Sequence, residues 1–308
     1  MDVQHPIEET IAWLASEDAL VNARLAELAS LNRDDLAKLK VAWTGIATER
    51  RQQIVQRLVE LAEGNFEFNF DDIFRFCLKD TDAVVRELAV EGLWENEAPS
   101  LIDPLIALLE TDESADVQAA AATALGKFTL LAENGKLRPQ YGPRLKESLL
   151  KVTNEKKRPE EVRRRALEAV APISASEVKL AIGEAFRNGT PRLKVSAIFA
   201  MGRSCDPDWL PILLHELDSK DAEVRYEATS ALGELGEQEA VASLIRLTAD
   251  ADTEVRLASF QALGKIAGPK SKEFLRYSLG SKDPAIRDAA RHALDELRAL
   301  EDPLSLQL

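Results

Sequence analysis

The 308-residue chain is poor in the residues that most catalytic chemistry needs. It holds three histidines, His5, His215 and His292, and two cysteines, Cys77 and Cys205. Zinc sites cluster His and Cys at short spacing, and these five residues are scattered, so no metal is expected. Two cysteines within apolar helical patterns make no disulfide framework, which suits a reducing, cytoplasmic location. Aromatics are only 6% of residues, and the β-branched enrichment of a strand-rich protein is missing. No window approaches 18 uninterrupted apolar residues, so no membrane span is expected. The opening "MDVQHPIEETIAWLASED" is acidic and lacks the apolar run of a signal peptide. A basic excess is also missing: 39 Lys and Arg face 53 Asp and Glu, a formal charge of −14, which argues against general nucleic-acid binding. No nucleophile elbow, Walker loop or dinucleotide fingerprint is present, and no cofactor is expected.

What remains is helix-forming composition and a repeated phrase. The chain is 45% hydrophobic and 30% charged, with much Ala, Leu, Glu and Arg. "DAEVRYEATSALGELG" from Asp221 returns as "DTEVRLASFQALGKIAG" from Asp252 and as "DPAIRDAARHALDEL" from Asp283. The series aligns on Arg86, Gln118, Arg163, Lys194, Arg225, Arg256 and Arg287. Its first step is 32 residues, its second 45 and the other four 31. Three residues after each anchor stand Ala89, Ala121, Ala166, Ala197, Ala228, Ser259 and Ala290. Seven after stand Leu93, Leu125, Val170, Met201, Leu232, Leu263 and Leu294. Small and large apolar residues at those offsets mark one face of a helix.

Start and stop signals punctuate the copies. Asp82, Asp221, Asp252 and Asp283 precede their anchors by four, where a carboxylate caps free helix amides. Gly236 and Gly268 are expected to end two copies in left-handed conformation. Gly126, Gly202, Gly233 and Gly264 recur inside the helix, where glycine costs about 1 kcal/mol against alanine. A neighbouring helix approaching closely is the expected reason. Further helices lie between the copies, as in "LIDPLIALLE" and "EAVASLIRLTAD". The unit is helix, turn, helix. One such hairpin cannot bury enough apolar surface alone, so its neighbours must supply the rest. The expected fold class is therefore all-α, an α-solenoid of eight or nine helix pairs with the second helices lining the concave side.

The phrase D-x-x-V-R-x-x-A-x-x-A-L-G at a 31-residue step resembles HEAT repeats of the short kind found in phycobilisome-lyase-like proteins. The resemblance covers roughly residues 70 to 299 and implies an armadillo-like superhelix. It also implies that Asp221, Asp252, Asp283, Arg225, Arg256 and Arg287 are structural, forming an Asp–Arg ladder between repeats. The most direct functional expectation is non-catalytic protein–protein interaction, as a scaffold, adaptor or assembly factor with a protein partner on the concave face. The alternatives are a bilin lyase-like protein acting on a phycobiliprotein, or a HEAT-like nucleic-acid-binding protein. Deoxyhypusine hydroxylase, another HEAT-like protein, binds iron with several His-Glu pairs. His215–Glu216 is the one such pair in this chain, so that activity is not expected.

Residues 1–66 are read as N-terminal helical pairs capping the stack, with Trp43 and Leu58 facing inwards. Residues 67–299 form the repeats, with a longer insertion near 130–160, and 300–308 a flexible tail. Phe66, Phe68, Phe70, Phe74 and Phe76 are read as sealing a loop onto the first full repeat, with an aromatic groove as the alternative. Trp94 and Trp209 are expected in packing positions. Residues 136–165 carry eleven Lys and Arg against four Asp and Glu, a net +7, which leaves −21 for the rest. This island is either a solvated face or a docking surface. The expected partner contacts are Glu223, Tyr226, Glu227, Ser230, Glu254, Arg291, Lys156, Lys157, Arg158, Arg164 and Arg165.

Overall fold

A computed structural model describes residues 6–65 and 67–301, with the side chains of Ser30, Leu300 and Glu301 left aside. His5, Phe66 and the tail 302–308 lie outside the described residues. Within them the chain is all helix. The order is α1 (Ile7–Leu14), α2 (Asn22–Ala26), α3 (Arg33–Trp43), α4 (Thr48–Gly64), α5 (Asp71–Cys77), α6 (Ala83–Gly92), α7 (Ile102–Thr111), α8 (Ala115–Glu133) and α9 (Tyr141–Asn154). It continues with α10 (Glu160–Val170), α11 (Ser176–Asn188), α12 (Pro191–Arg203), α13 (Leu210–Glu216), α14 (Ala222–Leu235), α15 (Val241–Leu247), α16 (Thr253–Ile266), α17 (Pro269–Ser278) and α18 (Pro284–Glu301).

Consecutive helices pair into hairpins, and the hairpins stack into an α-solenoid. Every even-numbered helix from α4 to α18 packs along its even-numbered neighbours, while the odd-numbered helices meet one another less closely. Axes that converge on one side of a stack bend it towards that side. The even row is therefore the inner, concave one.

The repeat explains its own packing. All fourteen small and large apolar residues three and seven places after the anchors are buried. The carboxylates of Asp82, Asp221, Asp252 and Asp283 each accept from an amide in the first turn of the following helix, at 2.9–3.1 Å. The interior glycines serve the close approach their recurrence implies. A Cβ on Gly202 would lie 2.6 Å from the Ala231 Cα, one on Gly233 2.9 Å from the Ala262 Cα, and one on Gly264 2.7 Å from the Ala293 carbonyl oxygen. At Gly126 the nearest atom, the Ala169 Cα, is 3.5 Å away, an ordinary contact.

The ladder differs from the one the resemblance implies. Among the described residues the capping aspartates pair with no arginine of the neighbouring repeat, although Asp82 accepts from Gln52 of α4 at 3.0 Å; the carboxylate two residues before the cap takes the arginine. Arg225 donates through Nε and Nη2 to both carboxylate oxygens of Asp250 at 2.9 and 2.8 Å. Arg86 makes the same fork on Asp112. Arg51 reaches Asp80 at 3.0 Å and proves to be an earlier member of the anchor series, with buried Ile54 and Leu58 at its offsets. Position 281 is serine, and Arg256 keeps the carbonyl bonds that Arg225 also makes, here to Asp250 and Ala251, and adds Thr253 in place of the fork. Arg225 holds the Asp250 carboxyl below its ordinary value by hydrogen bonding. A planar fork suits this two-point bond.

Three other expectations change. Gly236 is left-handed at the end of α14 (φ 79°), but Gly268 (φ 91°, ψ 167°) sits two residues past the end of α16 and opens α17. Trp94 is 53% exposed, because α6 ends at Gly92 and the ring falls in the turn beyond. Cys205 is exposed at φ 49° in the turn after α12, whereas Cys77 is buried and its thiol is pushed up by burial. The extra residues of the 45-residue step lengthen helices more than loops: α8 and α9 have 19 and 14 residues, against 14 and 7 in α14 and α15.

At the N-terminal end Trp43 and Leu58 are both buried. Phe70 and Phe74 are buried edge to face, and Phe76 meets Trp43 at 5.4 Å, which is the sealing arrangement. Trp209 is buried, with the Lys179 amine over its ring.

Candidate functional site

The concave row carries a cavity of about 390 Å3 where α8, α10, α12 and α14 converge. Its lining includes Arg164, Arg165, Glu168, Phe199, Glu223 and Glu227. Along α10, Arg164 donates to Glu161 at 2.7 Å and to the Ser196 hydroxyl of α12 at 2.9 Å. Arg165 donates to Glu161 at 2.8 Å and to Glu168 at 2.9 Å. Ser196 in turn donates to Glu168 at 2.6 Å. Arg203, also on the lining, faces Glu234 at 3.6 Å. Arg164 and Arg165 are thus matched within the protein, while Arg203 shares Glu234 with Lys265.

Two glutamates of α14 are not matched. Neither Glu223 nor Glu227 forms a side-chain ion pair or hydrogen bond among the described residues. Burial, followed by repulsion from Glu168 and Glu223, pushes the Glu227 carboxyl up to about 7. Phe199 and Tyr226 stand exposed on the same stretch of the inner row.

Of the residues expected from the sequence, the fold brings together Arg164, Arg165, Glu223 and Glu227, with Tyr226 beside them and half-buried Ser230 one turn on. Glu254 is exposed in the first turn of α16. Arg291 is exposed on α18, paired with Asp288 at 2.6 Å. Neither reaches this cavity. Lys156 and Lys157 are exposed in the turn between α9 and α10. Arg158, next in sequence, turns inward and donates to the carbonyls of Leu109 and Glu110 and to Gln118 at 2.9–3.2 Å. Much of the basic island is neutralised in the same way: Arg144 by Asp103, Lys146 by Glu177 and Lys151 by Glu110.

Glu168, Ser196, Phe199 and Arg203 escaped the sequence reading, yet a signal for one of them was present. Five residues after the anchors the column reads Glu91, Thr123, Glu168, Phe199, Ser230, Gln261 and His292. Phe199 is the single apolar member of that column.

A larger cleft of about 820 Å3 opens on the flank between the loops before α12 and α14, lined by Phe186, Arg192, Lys194, Ile212, His215 and Glu216 among others. Glu216 is buried and accepts from Lys194 at 2.8 Å, so the carboxylate of the His215–Glu216 pair is already engaged. Among the described residues no three His, Cys, Asp or Glu gather as metal ligands. No described helix is long and apolar enough to cross a membrane.

The family model for HEAT repeats matches residues 72–171, 178–253 and 244–308. The chain belongs to the HEAT-repeat family. No curated protein matches it in sequence. Among solved structures, the Escherichia coli protein YibA is 18% identical, with a TM-score of 0.50 over 92% of this chain and 98% of that one. Importin beta is 15% identical, also with a TM-score of 0.50, over 95% of this chain and 45% of importin beta. Both are likenesses of fold. Human deoxyhypusine hydroxylase is 17% identical over 95% of this chain and 96% of its own, with a TM-score of 0.36, too loose to bear on activity.

Proposed function

We propose that this HEAT-repeat protein is a non-catalytic scaffold, adaptor or assembly factor that receives a protein partner on its inner row of helices. The observation that carries the reading is the groove over α8 to α14, which is preformed by rigid helices. Its polar network is already in place, so association needs little ordering of the receptor. The groove offers exposed aromatic side chains beside charged ones, the mixture typical of interface anchors. A cytoplasmic location goes with this reading.

The nucleic-acid alternative is not favoured, because the basic island is spread over α9, α10 and the turn between them, and most of its cations are paired internally. The bilin-lyase alternative has no residue pattern in the groove to support it. The test is affinity purification from the native host. Wild type should recover a specific partner. Inner-row substitutions such as Phe199→Ala or Tyr226→Ala should lose it, while a change on the outer row, Leu180→Ser, should not. Recovery that ignores the inner-row changes, or no recovery at all, would sink the reading.

A further inference from the structure

The groove departs from its own repeat in a way that packing does not require. Two residues after the anchors the column reads Leu88, Ala120, Arg165, Ser196, Glu227, Ala258 and Ala289. Five of the seven are small or apolar, as befits a position half-turned into the inter-helix seam. Arg165 answers for its departure with two carboxylate partners, Glu161 and Glu168. Glu227 has none. It is half-buried next to Glu168 and Glu223, so its charge faces both desolvation and repulsion. Phe199 departs in the opposite sense, as an exposed ring in a polar column. Departures from a local rule without internal compensation gather at functional positions, and both of these line one cavity.

Charge accounting then selects the occupant. Arg164 and Arg165 are matched by Glu161 and Glu168, and Arg203 at the edge shares Glu234 with Lys265. What the groove lacks is cations for Glu223 and Glu227. Resting on the scaffold reading above, we infer that the groove over α10, α12 and α14 takes a lysine- or arginine-bearing segment of the protein partner, its cationic head between Glu223 and Glu227 and its aliphatic stem along Phe199 and Tyr226. Long cationic side chains bury their stems on apolar surface while the charge meets a carboxylate. An anionic segment would instead have to break the Arg164 and Arg165 pairs.

The experiment uses the full chain with a photoreactive benzoylphenylalanine in place of Tyr226, incubated with host extract. The crosslinked segment is sequenced, and its affinity as a synthetic peptide is measured against wild type and the E223Q/E227Q double variant. The inference expects a Lys or Arg within a few residues of the crosslink. Affinity for the double variant should fall at least about tenfold, since truncating one side of a buried charged contact weakens binding strongly. The Glu227 carboxyl, followed by carbon NMR, should move from about 7 towards the ordinary range when the peptide binds. A crosslinked segment without a cation, or one bound equally by the double variant, overturns the inference while leaving the scaffold reading intact. Failure to crosslink or recover any partner removes both. Should the double variant melt below wild type, the Glu223→Lys variant, altered only at an exposed residue, replaces it with the same expectations.

Discussion

Gly202 and Gly126 occupy the same place in the repeat and meet different neighbours. At Gly202 the next inner helix comes so close that a methyl group would collide with backbone, while at Gly126 the same methyl group would make an ordinary contact. From α12 to α18 the stack is held by backbone proximity, which glycine and alanine permit. Between α8 and α10 the helices also lie close, and side chains reaching across add to the junction. The Thr129 hydroxyl donates to the Ala169 carbonyl at 2.6 Å, and Arg158 donates to the chain end of α7 and to Gln118 of α8. Regular spacing lets one cheap solution recur, and the longer α8 and α9 move the junction out of that register. The lesson is that a repeat protein changes its adhesive where it lengthens its helices.

The largest expected effect breaks the first kind of junction. Gly202→Ala should destabilise by about 3 kcal/mol in urea unfolding, because the colliding atoms belong to helix backbone that cannot swing away. The second kind should fail at Arg158→Ala, by about 2 kcal/mol, since the Leu109 and Glu110 carbonyls lose a charged donor. Within the regular half, Arg225→Ala should cost about 1 kcal/mol more than Arg256→Ala, the difference being the Asp250 fork.

The groove joins the two regions and predicts a pH effect. Glu227 has a folded value of about 7, above the ordinary 4.5. A carboxyl raised in this way favours the folded state fully below its unfolded value, and that advantage is lost as pH rises through the folded one. Glu227→Gln should therefore stabilise by roughly 1 kcal/mol at pH 8, with the gain shrinking between pH 7 and 4.5. Thermal melts of both proteins across that range check the sign. The smallest effect completes the comparison: Gly126→Ala should be neutral, or stabilising by up to about 1 kcal/mol, because helix propensity improves and nothing collides.

How much of this could be read beforehand follows from the same contrast. The hairpin array, the buried columns, the capping aspartates and the interior glycines repeat every 31 residues, and repetition separates signal from chance. The ladder was read onto the wrong carboxylate because Asp80, Asp112 and Asp250 give way to Ser219 and Ser281 in other copies, whereas the caps stay aspartate more often. The inward turn of Arg158 had no periodic counterpart and depended on where α9 ends. The groove was half legible. Arg164, Arg165, Glu223 and Glu227 are charged positions outside the buried columns of their helices. Phe199 and Glu227 show their peculiarity only when the columns two and five places after the anchors are compared down the chain.

The central claim is that each inner helix owes its stability to the two beside it. Native-state hydrogen exchange on Gly202→Ala measures that directly. The account predicts faster exchange in α12 and α14, on both sides of the weakened seam, with α4 and α6 unchanged. Uniform loss of protection along the whole chain, or loss confined to α12 alone, would contradict it.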